Sequence, residues 1–147
     1  MSDRPWGFAG AMGVRVVEGG GGTAVVECEV GPDHLNRGGT VHGGVVATLV
    51  DVAVGVALHT MDPEGTRRPM ATTDLNVAFL QPSSIGPLSC RARIRRRGRS
   101  LAVGEAEVTD GAGRLMAVGR ATYLVGGARP AAGGVEVDDA LGMPPAD

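Results

Sequence analysis

Apolar and polar positions along this chain follow two rhythms. In MGVRVVEGGGGTAVVECEV, ATTDLNVAFLQP, LSCRARIRRR, SLAVGEAEVTD and RLMAVGRATYLV the pattern is strand-like, with stretches that alternate as a half-buried strand does. The first of these holds two strands around a glycine-rich turn, Val25, Glu27 and Glu29 alternating against Val26, Cys28 and Val30, which predicts a hairpin at the edge or start of a sheet. The other four are joined by PSSIGP, by a turn at Arg97-Gly98-Arg99 and by DGAG, a clear hairpin signal.

One run is of another kind. From Gly43 to about Met61 the chain is apolar nearly all round (Val45, Val46, Leu49, Val50, Val52, Ala53, Val54, Val56, Ala57, Leu58) and is ended by DPEG. It is too long for one strand and has no turn signal before Asp62, so it predicts a helix despite its β-branched content. Apolar on all sides, that helix needs a sheet wrapped round it. Ala102, Gly104 and Ala106 put small side chains on one strand face, where a helix backbone can lie close. Two strands, a buried helix and four strands make an α+β pattern.

Composition narrows this without redirecting it. A chain of 147 residues is one domain, here 11–125, with 1–10 as an N-terminal lead and the Gly/Pro/Ala-rich, acidic stretch 126–147 expected to be a disordered tail. With 43% hydrophobic residues, 20% charged and a net charge of -2, the composition is that of an ordinary soluble protein. Val45 to Leu58 is too short to span a bilayer, and the N-terminus lacks a signal pattern, so no membrane association and a cytoplasmic location are expected. All 14 basic residues are arginine, which reads as coding bias. Only Trp6, Phe8, Phe79 and Tyr123 are aromatic, and with no positive net charge this argues against nucleic acid. Cys28 and Cys90 have no CxxC partner and read as small buried side chains; His34 and His59 lack metal-ligand spacing, so no metal site is expected.

Candidate chemistry concentrates in LNRGGTVHGGVVATLVD, Leu35 to Asp51. His42-Gly43-Gly44 either starts the helix with unusual dihedrals or leaves backbone N–H groups bare for an oxyanion, helped by the macrodipole. Asp51 sits two turns in, with Ala47, Val54, Gly55 and Leu58 nearest by helix spacing and no cation among them. An unpaired carboxylate there costs several kcal/mol, so it is either used chemically or relieved by solvent or a neighbouring hydroxyl. Asn36 is a turn residue or an amide donor.

Taken together, Asn36, His42-Gly43-Gly44 and Asp51, then Ala71-Thr72-x-Asp74-Leu75-Asn76-x-x-Phe79-Leu80-x-Pro82, Arg96-Arg97-Gly98-Arg99-Ser100 and Asp110-Gly111-x-Gly113-Arg114-Leu115 with Gly119, cover roughly residues 11 to 125. Over that span the sequence resembles the hotdog-fold thioesterases, most closely the phenylacetate-pathway (PaaI-like) type within the 4-hydroxybenzoyl-CoA thioesterase superfamily. The resemblance implies an antiparallel sheet wrapped around one long central helix. It implies hydrolysis of an acyl-CoA thioester to free acid and CoA, with no metal or organic cofactor, in a homodimer or a tetramer built as a dimer of dimers. It makes Asp51 the general base or nucleophile, Gly43 the oxyanion donor and Asn36 a holder of the carbonyl or the water. Thr72 would orient water beside Asp51. His42 would fix its loop by hydrogen bonds, with a role as base the alternative.

Six arginines fall in CRARIRRRGR. Arg91, Arg93 and Arg95 alternate with Ala92 and Ile94 and are expected on the outer sheet face opposite Glu105 and Glu107, whereas Arg96, Arg97 and Arg99 lie in or beside a turn, where CoA phosphates need cations. Helix geometry adds a constraint. At about 1.5 Å rise per residue, Gly43 and Asp51 stand roughly 12 Å apart and about 80° apart around the axis. One helix cannot easily bring both onto one carbonyl, whereas antiparallel helices across a twofold axis bring Gly43 of one subunit to Asp51 of the other, twice. Two rival readings are a non-catalytic hotdog module binding acyl-CoA or an aromatic ligand, against which the retained Asp51 speaks, and a hotdog hydratase. The latter needs its Asp and His a few residues apart, unlike the nine between His42 and Asp51.

Overall fold

The computed structural model describes residues 7–64, 66 and 68–126. A short helix α1 (Gly7–Ala11) leads into strands β1 (Val14–Gly20) and β2 (Thr23–Cys28). A 3₁₀ turn at Pro32–His34 precedes the long helix α2 (Gly43–His59). Four strands follow: β3 (Met70–Phe79), β4 (Leu88–Arg97), β5 (Leu101–Thr109) and β6 (Leu115–Val125). Helix and strands fall where the pattern puts them, with α2 closing two residues before Met61. The tail, apart from Gly126, lies outside the described residues. The expected lead overlaps α1.

The six strands form one antiparallel sheet in the order β1-β2-β4-β5-β6-β3, curled around α2: the hotdog architecture. The helix buries Val45, Val46, Leu49, Val50, Ala53, Val54, Val56, Ala57 and Leu58 against the sheet, but the stripe of Gly44, Thr48, Asp51 and Val52 stays partly exposed, so it is not buried on every side as its apolar run predicts. The small-residue face lets it in: a β-carbon on Gly104 would stand 2.5 Å from Val54 Cγ1, and one on Gly119 would stand 2.7 Å from Val50 Cγ1. Ala102 and Ala106 are buried beside Gly104. β-Branched side chains on the helix thus fill the space that the sheet leaves empty, which offsets their poor helix propensity by close packing.

Arg91 and Arg93 stand opposite Glu107 and Glu105 in register, but the short ion pairs run from Arg91 to Glu18 and, across a bulge between Ile94 and Arg96, from Arg95 to Glu105. Cys28 and Cys90 are buried, and burial pushes the Cys90 thiol up to about 12. His34 is a structural group: Nδ1 accepts from the Gly31 amide at 2.8 Å and Nε2 meets Met12 O at 2.7 Å. Among the described residues no helix is long and apolar enough to cross a membrane.

The DGAG turn is fastened from within. The buried carboxylate of Asp110 accepts from the Ala112 and Arg114 amides, from Ser83 Oγ and from the Arg114 guanidinium, all within 3.0 Å. This ties the β5–β6 turn to the β3–β4 connection. Burial by itself would raise the Asp110 carboxyl, but the hydrogen bonds from the Arg114 amide, Ser83, the Arg114 guanidinium and the Ala112 amide outweigh it and hold the value at about 2.

Two outcomes follow from this packing. Because the Asp110 value is depressed on folding, its contribution is present at neutral pH and is lost as pH falls from about 4 toward 2. Melting curves should show Asp110→Asn less stable than wild type at pH 7, with the gap narrowing through that window; a constant gap would refute the assignment. Gly104→Ala should lower stability by about 1–3 kcal/mol by forcing α2 off the sheet, read as a fall in Tm.

Candidate active site

The start of α2 is built by His42. This residue is the N-cap, in extended conformation (φ -62°, ψ 136°), and its Nδ1 accepts the Gly44 N–H at 2.8 Å. The Val45 amide bonds the His42 carbonyl at 2.9 Å. The Gly43 N–H has no acceptor among the described residues, so it stands bare at the positive end of the helix. Neither Gly43 nor Gly44 has a positive φ, which removes unusual dihedrals as the reason for the two glycines. Close approach is the reason instead: a β-carbon on Gly43 would lie 3.3 Å from the Phe79 ring, and one on Gly44 would lie 3.0 Å from His42 Nδ1. His42 therefore acts here as a loop-fixing group with one ring nitrogen engaged.

Two turns along, Asp51 is half-buried and meets hydroxyls rather than a cation. Thr72 Oγ1 donates to its Oδ1 at 2.7 Å. Tyr123 OH lies 2.8 Å from the same oxygen and 2.6 Å from the Asp51 main-chain oxygen. Oδ2 has no partner among the described residues. Neighbouring hydroxyls are thus how an apolar helix tolerates this carboxylate, and Thr72 is brought to Asp51 as expected. Tyr123 escaped the sequence reading. It is far away in the chain, and it reaches Asp51 because β3 and β6 pair with Thr72 opposite Tyr123, so the two hydroxyls project from one face of the sheet. A bulge between Thr72 and Asp74 sets that register; its extra residue, Thr73, bonds the Thr122 carbonyl. The available signal was a lone Tyr at an inward position of the last strand.

The other candidates are placed less centrally. Asn36 organises its own loop: Oδ1 accepts from the Gly38 amide at 2.9 Å and the Thr40 amide at 3.3 Å, while Nδ2 donates to Thr40 Oγ1 at 3.0 Å. That leaves its second amide proton. Arg97 turns inward, donating to Gly98 O at 2.6 Å and standing 3.9 Å from the buried Asp62, which His59 and Arg68 also approach. Arg96 and Arg99 are exposed and form no ion pair among the described residues. Their turn lies at the Asp51 end of the sheet, since Ala102 is opposite Tyr123 and Leu101 opposite Leu124.

β3 runs past both ends of this arrangement. Thr72 touches Asp51, and seven residues on Phe79 covers Gly43. Its far edge is unpaired among the described residues, and Leu75, Phe79 and Leu80 are 40%, 58% and 54% exposed. A groove of about 690 Å³ lies instead on the outer sheet face, lined by Arg91, Arg93, Glu105, Glu107 and Arg120. The groove is remote in the fold from the Asp51 carboxylate, which projects from the helix side.

The sequence and the fold have counterparts. A model of the thioesterase superfamily matches residues 38–117. The acyl-coenzyme A thioesterase 13 of Homo sapiens is 31% identical over 115 residues, which cover 77% of this chain and 80% of that protein. Thioesterase superfamily member 2 of zebra fish superposes with a TM-score of 0.73 at 35% identity, covering 85% of this chain and 90% of that one. The PaaI protein from the phenylacetic acid degradation operon of E. coli superposes with a TM-score of 0.73 at 25% identity, covering 82% and 84%.

Proposed function

The chain belongs to the thioesterase superfamily and is a thioester hydrolase of the PaaI-like type, and on that premise we propose that it hydrolyses acyl-CoA in a site shared between two subunits. Gly43 of one subunit holds the carbonyl, and Asp51 of the other promotes attack. The observation that carries this is the pairing of a bare amide with a half-free carboxylate on one helix, about 12 Å apart. Neither is complete alone, since donor and base must each come within about 3 Å of the reacting atoms.

The edge strand supplies the means of sharing. Pairing of two β3 strands antiparallel about Asn76 would set Leu75 opposite Val77 and, across the bulge at Thr73, Thr72 of one subunit opposite Phe79 of the other. Thr72 marks Asp51 and Phe79 marks Gly43, so this one contact completes two sites while covering the exposed apolar edge.

In the reaction, oxygen attacks the thioester carbon and the carbonyl oxygen becomes an oxyanion against the Gly43 N–H. If Asp51 acts as base, Oδ2 takes the proton of the attacking water; collapse breaks the C–S bond, and the proton passes to the departing thiolate. If Oδ2 itself attacks, the C–S bond breaks, the CoA thiolate leaves and a mixed anhydride remains; water then opens the anhydride, giving its hydroxyl to the acid and its other proton to the thiolate, and the Asp51 carboxylate is restored. Thr72 steadies the carboxylate and orients water, and Asn36 offers its spare amide proton to the carbonyl or the water. Arg96 and Arg99 receive the phosphates of CoA. Arg97, turned toward Asp62, steadies their turn.

Complementation of two inactive variants tests the sharing. Asp51→Asn removes the base. Gly43→Pro removes the amide proton at a first-turn position that tolerates proline, after a residue already in the extended conformation proline requires. Each alone should lower thiol release from acyl-CoA by about 10²–10³-fold. Mixed, refolded subunits should recover about a quarter of wild-type activity, because half of the random dimers carry one intact site of two. No recovery from folded mixed dimers, or an active monomer, would overturn the shared site. Replacing Arg96 and Arg99 by Ala should raise KM for acyl-CoA several-fold and leave the corresponding acyl-pantetheine unaffected; equal effects on both substrates would count against phosphate binding.

A further inference from the structure

Tyr123 does more than fill the core. We propose that it is the positioning residue of the catalytic carboxylate: one hydroxyl ties Oδ1 and the main-chain oxygen of Asp51 together, leaving Oδ2 as the oxygen that reacts. This rests on the reading of Asp51 given above and adds to it which oxygen acts and what fixes it.

Three observations carry the assignment. First, the phenol oxygen lies 2.6 Å from Asp51 O and 2.8 Å from Oδ1, so a single donor on a buried aromatic ring faces both oxygens, and its bond to Oδ1 is kept only while the Asp51 side chain stays in that orientation. A helical Asp otherwise exchanges among rotamers, and this bond selects one. Thr72 holds the same Oδ1, but through an aliphatic hydroxyl that turns about its C–O bond and reaches no second Asp51 oxygen. Second, Tyr123 is itself fixed. It is 5% exposed on β6, between β5 and β3, with Ala102 and Thr72 as its register partners. Third, burial first and the Asp51 charge second raise the phenol well above its ordinary value, so it keeps its proton as a donor throughout the working pH range.

The two acceptors also suit a carboxylate whose charge changes. While Asp51 is ionised, the phenol proton points to Oδ1. When Oδ2 takes a proton from water, Oδ1 becomes the weaker acceptor, and the same phenol proton can turn to the main-chain oxygen without leaving a buried hydroxyl unsatisfied. The phenol gives up no proton in this exchange.

Tyr123→Phe removes the oxygen and keeps the ring, so the fold should survive, with Tm within a few degrees of wild type. For the intact oligomer, kcat on acyl-CoA should fall about 10- to 100-fold while KM stays within about twofold, as expected for a reacting group held loosely. In an Asp51→Asn background the same change should cause no further loss, because the group it positions is gone. Equal proportional losses in both backgrounds, a change in KM alone, or wild-type kcat in Tyr123→Phe would each overturn the role. Asp51→Asn separates the two ideas. Full activity there removes Asp51 itself from the mechanism, whereas an inactive Asp51→Asn beside a fully active Tyr123→Phe removes only the positioning role.

Discussion

The rigid rise of one buried helix is the constraint on which the rest of this molecule depends. α2 carries a bare amide at Gly43 and a carboxylate at Asp51, and a hydrogen-bonded helix seated against the sheet cannot bend them toward each other. Everything around it keeps the spacing fixed. Gly104 and Gly119 let Val54 and Val50 press into the sheet, so rotation or sliding of the helix would collide with strand backbone. A spacing that cannot close within one subunit becomes useful when a second subunit is laid alongside in the opposite direction.

The edge strand β3 is where the two demands of folding and chemistry meet. A ten-residue edge unpaired among the described residues, with exposed leucine and phenylalanine, is a liability in a monomer. Here the same strand carries Thr72 against the carboxylate and Phe79 beside Gly43, so covering the edge and assembling the site are one event in the proposed dimer. The bulge at Thr73 serves that arrangement by turning Thr72 inward opposite Tyr123. Without the extra residue the inward and outward positions beyond it would exchange.

Charge is handled differently at the buried Asp110 and the half-buried Asp51. Asp110 is surrounded by amides, a hydroxyl and a guanidinium that together fasten two turns, and no acceptor position faces open space usefully. Among the described residues, Asp51 has donors on one side-chain oxygen only. Saturation marks a structural group and half-saturation a candidate reactive one, a distinction that residue type alone does not express.

Periodicity sufficed for the elements, because alternation of two and a long all-round apolar run are local properties of the chain. It anticipated the hairpin, the long central helix, the four later strands and the small-residue face that receives α2, but not the short α1. Local spacing also sufficed for the incompatibility of Gly43 and Asp51, since helix rise is the same wherever a helix forms. What only the tertiary structure decided was which side chains meet. Tyr123 finds Asp51 through strand register, 72 residues along the chain. Arg97 leaves its neighbours to face Asp62, and the glycines of the helix start owe their place to the Phe79 and His42 rings rather than to backbone strain. Such meetings depend on a bulge, a strand order and close packing, which are set by the whole fold at once and leave no repeat or spacing in the sequence to be read.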